Sequence, residues 1–135
     1  MSAKEFLENI RKLQRAIDCK LEKIDTLREL ATGTSVNLSG MPHNPSSQTS
    51  PMANAVCKIV DLEHEVAAMQ QERQAAIDYL CTMEDSRLCT VLIKRYVQEK
   101  EWEDIAAEMH CSRTQVFRFH RGAIIQFEKL LQNGT

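Results

Sequence analysis

A chain of 135 residues with 27% charged and only 5% aromatic side chains, and with just four glycines, has the composition of an all-helical protein. Its formal net charge of −2 excludes a general polyanion binder, and no window approaches 18 consecutive apolar residues. No apolar signal core follows the first Lys, so a soluble, intracellular protein is expected. The five cysteines, Cys19, Cys57, Cys81, Cys89 and Cys111, are odd in number and include no Cys-x-x-Cys pair. Zinc sites draw ligands at short, paired spacings, so neither a metal site nor a disulfide framework is indicated, and reduced thiols are expected.

The first predicted helix covers residues 2–31. Phe6, Ile10, Leu13, Ile17, Ile24 and Leu27 recur at alternating four and three spacings, broken at Lys20, where Leu21 is expected to supply the apolar contact. Ser2, followed three residues on by Glu5, reads as a capping box. Such a helix is roughly 45 Å long, with a coiled-coil seam along one side that requires a partner. Residues 32–51 hold Gly33, Gly40, Pro42, Pro45 and Pro51 and almost no charge, which predicts a linker. A second long helix follows to about Met83, with Val56, Ile59, Leu62, Val66, Met69, Ile77 and Leu80 as its stripe, interrupted by Gln70 and Arg73. A linker of this length lets the second helix run back along the first as an antiparallel hairpin. Pairing between two chains uses the same residues, so a homo-oligomer through these helices is equally compatible.

Beyond residue 84 the pattern changes. Glu84, Asp85 and Ser86 are capping residues for a helix from Arg87 to about Gln98, with Leu88, Val91, Leu92, Tyr96 and Val97 facing inward. Trp102 opens a short helix whose Ile105, Ala106 and Met109 share one face. Ser112 reads as the N-cap of the next helix, residues 113–131, where Val116, Phe119, Ala123, Ile124, Phe127, Leu130 and Leu131 form the stripe. Two helices joined across three residues pack at a steep angle, with Ala106 at their crossing. That is the pattern of a helix-turn-helix.

The side chains outside the last stripe are cationic or polar, and no Asp or Glu occurs between Glu108 and Glu128. Arg113, Thr114, Gln115, Phe117 and Arg118 are the candidate base-contacting residues, because Arg, Thr and Gln hydrogen-bond base edges in the major groove. Ser112, Arg121, Lys94 and Arg95 are the candidate phosphate contacts. From Arg87 onward eight Lys or Arg stand against six acids. This balance implies a small DNA footprint with modest affinity and a shallow salt slope unless two copies act together.

The run from Val91 through Leu-Ile-Lys-Arg-Tyr, Trp102-Glu-Asp-Ile-Ala and Ser112-Arg-Thr-Gln-Val, followed by Ala123-Ile-Ile and Leu130, resembles region 4 of bacterial sigma factors. With Ala3-Lys-Glu-Phe-Leu and the run from Val56 to Glu63, nearly the whole chain is similar to small phage-encoded sigma-region-4-like proteins of the ArpU and RinA type. The resemblance implies a late transcription regulator acting in the cytoplasm of a bacterial host, with double-stranded DNA and RNA polymerase as partners. One departure stands at residue 110, where such helix-turn-helices carry Gly and this chain carries His. His is among the residue types enriched in the left-handed region, so the turn is expected to survive.

The expectation is therefore an all-α chain: a helical hairpin over residues 1–83, with its linker at 32–51, and a sigma-region-4-like DNA-binding domain over 84–135. No spacing supports a nucleophile with its base, a paired-carboxylate cleft or a phosphate loop, so neither catalysis nor a cofactor or small-molecule substrate is expected. Two alternatives use the same residues. One is DNA recognition for phage packaging, as in small terminase subunits; the other is a coiled-coil adaptor that binds protein without reading DNA.

Overall fold

The computed structural model describes residues 1–32 and 51–134, and among them the chain is all-α, with no strand. Helix α1 spans Ala3–Ala31, α2 Pro51–Leu80, α3 Ser86–Leu92, α4 Trp102–Glu108 and α5 Arg113–Asn133. A π-helical segment, Ile93–Val97, continues α3. Residues 33–50, which hold nearly all of the expected linker, lie outside the described residues. No described helix is long and apolar enough to cross a membrane.

The helix ends follow their capping chemistry. Ser2 Oγ accepts the Glu5 N–H at 3.2 Å, and the Glu128 carboxylate accepts the Ala3 N–H at 2.8 Å, so an α5 side chain helps to cap α1. Asp85 Oδ1 accepts the N–H groups of Arg87 and Leu88 at the start of α3. At the other end of the π segment, Gln98 N–H reaches the Ile93 carbonyl at 2.9 Å, and Glu99 leaves the helix with φ 54°.

The chain packs as two compact units. One gathers Met1–Gln14 and Glu72–Thr135. Its core holds Leu7, Ile10, Leu80, Leu92 and Phe127, each at most 1% exposed. The Phe127 ring meets Phe6 edge-on at 5.0 Å and Tyr79 at 6.0 Å, the offset geometry aromatic pairs prefer. A second cluster in the same unit joins Val91, Ile105, Ala106 and Val116, with Trp102, Met109, Cys111 and Phe119 packed against it. The sequence reading divides the chain at residue 84, whereas these contacts place both the first residues of α1 and the last turns of α2 in the same unit as residues 84–135.

The other unit, Arg15–Gln71, is built on Ile17, Ile24, Ile59 and Val66, with Leu27, Leu62 and Met69 beside them. Of the expected seam residues, Ile10, Ile17, Ile24, Ile59, Val66 and Leu80 are buried, while Phe6, Leu13, Leu27 and Ile77 are half-buried. Val56 is not in the seam. It is 49% exposed, and Ala55, four residues before Ile59, is buried in its place. Positions 55, 59, 62, 66, 69, 73, 76 and 80 of α2 are all buried or half-buried and keep a heptad rhythm in which two of the apolar positions are alanines. Ala55 gives a weaker hydrophobic signal than its neighbour Val56, which drew the stripe one residue aside at that position, while Ile59, Leu62, Val66, Met69 and Leu80 lie on the expected face. Leu21 is likewise outside, 40% exposed; Lys20 lies half-buried instead and sends its Nζ to Glu65 at 2.9 Å.

Candidate nucleic-acid interface

The turn between α4 and α5 sets the position of everything on α5. Met109 N–H still bonds the Ile105 carbonyl, and Cys111 N–H closes back on the Ala106 carbonyl at 3.0 Å. Between them His110 stands at φ 56°, the left-handed conformation that the missing glycine would have supplied. Ser112 Oγ then accepts the Gln115 N–H at 3.2 Å and starts α5. Val116 is wholly buried against Ile105 and Ala106, so the turn is clamped from below by the α4 to α5 contact.

With Val116, Ala123 and Phe127 buried, the opposite face of α5 is fixed by helical geometry. Thr114, Arg118, Arg121 and Ile125 are spaced by four, three and four residues and are all exposed, forming one row. Gln115 and Ser112 are also exposed at the N-terminal end. Among the described residues neither Arg118 nor Arg121 has an ion-pair partner. Both are exposed, on a helix with no carboxylate before Glu128.

Other candidates are placed differently. Arg113 turns toward α4, pairing with Glu103 at 3.5 Å and lying 5.7 Å from the Phe117 ring. That ion pair is highly exposed and worth well under about 1 kcal/mol, so it leaves Arg113 available. Phe117 is 43% exposed, with its ring edge-on to Trp102 at 5.1 Å. Lys94 Nζ sits 2.7 Å from Glu108 Oε1, and Lys100 Nζ 2.6 Å from Oε2 of the same carboxylate, which the two ammonium groups hold below its ordinary pKa. Arg95 donates from Nη1 to the Lys100 carbonyl at 3.0 Å and stacks its guanidinium 4.4 Å from the Trp102 ring. Lys94 and Arg95 thus brace the stretch between the π segment and α4.

Behind this surface lies a network that sequence reasoning missed. The Tyr96 hydroxyl is 2.9 Å from His120 Nε2, the two rings stack at 5.8 Å, and Trp102 meets His120 edge-on at 5.0 Å. Arg11 of α1 places its guanidinium 4.8 Å from the Tyr96 ring and donates from Nη2 to the Arg95 carbonyl. Burial lowers the His120 pKa, helped by the charges of Lys4 and Arg95, and burial raises that of Tyr96. A signal was present in the sequence: His120 falls four residues after Val116 and three before Ala123, on the buried side of α5. A polar side chain at such a position needs a partner.

No group of three or more metal-ligating side chains occurs among the described residues. Comparison with protein-family models, curated proteins and solved structures returned no match.

Proposed function

We propose that the chain is a sequence-specific DNA-binding regulator of the phage sigma-region-4-like kind. In this reading α4, its turn and α5 form a helix-turn-helix, α5 is the recognition helix, and α1 with α2 forms a coiled-coil hairpin. The observation that carries it is the exposed row Thr114, Arg118 and Arg121, on a helix whose other face is anchored in the core and which bears no acid before Glu128. Arg and Thr near the N-terminal end of a helix are suited to base edges, and Arg121 further along to phosphate. Arg113, Gln115 and Phe117 flank the row from either side.

The test is selection of duplexes from a random library, followed by a salt titration of binding. Enrichment of one motif, with affinity lost when Arg113 and Arg118 are together changed to Ala, supports the proposal; retention of that affinity by the double variant overturns it. Ile125, 52% exposed in the same row, favours a second reading in which the far end of α5 meets RNA polymerase. An Ile125→Glu variant that binds DNA normally yet no longer binds the polymerase would support that second reading.

A further inference from the structure

Cys81 and Cys89 lie on either side of the turn that joins α2 to α3, and both are free thiols. Cys89, 8% exposed in the core, donates its S–H to the Leu80 carbonyl oxygen at 3.6 Å. That oxygen belongs to the peptide joining Leu80 to Cys81 and lies about 2.8 Å from the Cys81 Cα across a trans peptide. The Cys89 sulfur is therefore no further than about 6.4 Å from the Cys81 Cα. Cys81 itself is exposed just past the end of α2, where Cys81 N–H bonds the Ile77 carbonyl and Met83 N–H the Leu80 carbonyl. A disulfide needs Cα atoms within about 7 Å, so closure draws the Cys81 and Cys89 backbones to that separation across this turn, with the Cys89 sulfur already directed at the Leu80–Cys81 peptide.

We propose that Cys81 and Cys89 are a redox modification site, closing to an intramolecular disulfide when the chain meets a disulfide oxidant such as oxidised glutathione. The exposed Cys81 thiolate attacks one sulfur of the oxidant, forming a mixed disulfide and expelling glutathione thiolate. Cys89 then loses its proton and attacks the Cys81 sulfur, expelling the second glutathione thiolate. The two protons given up by the cysteines end on the two glutathiones, and the two electrons reduce the oxidant's S–S bond. Burial, together with the neighbouring Cys81 thiol, pushes the Cys89 thiol up to about 11, so closure is slow at neutral pH and speeds up as pH rises. The product ties the end of α2 to α3 beside the buried Leu80, Met83 and Leu88. Cys19 and Cys57 belong to the other compact unit.

The experiment uses the full chain with Cys19, Cys57 and Cys111 changed to Ser, exposed to oxidised glutathione, alkylated and digested with trypsin without reduction. Cleavage after Arg87 separates the two cysteines, so the expected product is peptide 74–87 linked to peptide 88–94, with the intact protein two hydrogens lighter and free of glutathione. Melting should shift upward and return with dithiothreitol, and closure should accelerate between pH 7 and pH 9. The same linked peptides from the wild-type chain guard against effects of the three serines. Glutathione retained on Cys81 while Cys89 remains alkylated, or separate adducts on both, would overturn the proposal.

Discussion

Arg118 and His120 stand two residues apart on α5 and meet opposite surroundings. Arg118 is exposed on the proposed reading face and has no ion-pair partner among the described residues. Base contacts discriminate between sequences and phosphate contacts do not. Arg118→Ala should therefore cost roughly 1–3 kcal/mol on the selected duplex and little on a scrambled one. Arg121→Ala should weaken both alike and lower the salt slope by about one. Equal losses on both duplexes for Arg118→Ala would place α5 along the backbone instead of in the groove. His120 answers to pH. Its folded-state pKa is held below the ordinary 6.5 by burial and by Lys4 and Arg95, with Arg11 close behind Tyr96. The unfolded chain takes up the proton first, so the contribution is present above about pH 6.5 and is lost as pH falls from there toward the depressed value. Urea unfolding at pH 7.5 and 5.5 should show a larger loss for the wild type than for His120→Gln, which keeps a polar partner for Tyr96 but does not titrate. Identical losses would show that His120 does not govern the acid response.

Helix extents were legible because periodicity and capping are local. Ser112, Asp85 and the turn at His110 fall where side-chain chemistry requires them, and the Ala106 to Val116 contact follows from the short connection. Register in α2 was legible at Ile59, Val66 and Leu80 and was missed at Val56. Val56 is more hydrophobic than Ala55, yet a close-packed seam selects for fit and alternation, and the alanine lies inside. Arg73, at a seam position, is half-buried with its Nε shielded from solvent and without a hydrogen-bond partner, which explains why the stripe looks broken there. Ile59 and Val56 make a sharp contrast. Ile59→Ala should destabilise the chain by about 2–4 kcal/mol, because it deletes buried methyl groups, whereas Val56→Ala should change stability by no more than about 0.5 kcal/mol. Thermal unfolding of the two variants side by side decides it; comparable losses would return Val56 to the seam.

At the scale of the molecule, the stripe along α1 reads as one seam in the sequence, broken only at Lys20, but its residues serve two cores. Leu7 and Ile10 are buried with Phe127, while Ile17 and Ile24 are buried with Ile59 and Val66. Periodicity reports which face of a helix is buried and carries no information about what buries it, so a boundary at residue 84 followed naturally from the change of pattern there. The packing has a consequence for dissection. A fragment of residues 84–135 would keep α3, α4 and α5 but lose Ala3, Leu7, Ile10 and Leu80, all at most 1% exposed, together with Phe6 and Tyr79 against the Phe127 ring. Losing a single large core side chain costs about 2–5 kcal/mol, and a small domain has only about 5–15 kcal/mol in total. The fragment should therefore show low helicity and no cooperative melt by circular dichroism, and it should bind the selected duplex far more weakly than the full chain. The weakening would come from unfolding, since every side chain of the Thr114, Arg118 and Arg121 row remains present. A fragment that melts cooperatively and binds like the full chain would mean that Phe127 finds sufficient cover within residues 84–135 alone, and that α1 and α2 add nothing to the fold of α5.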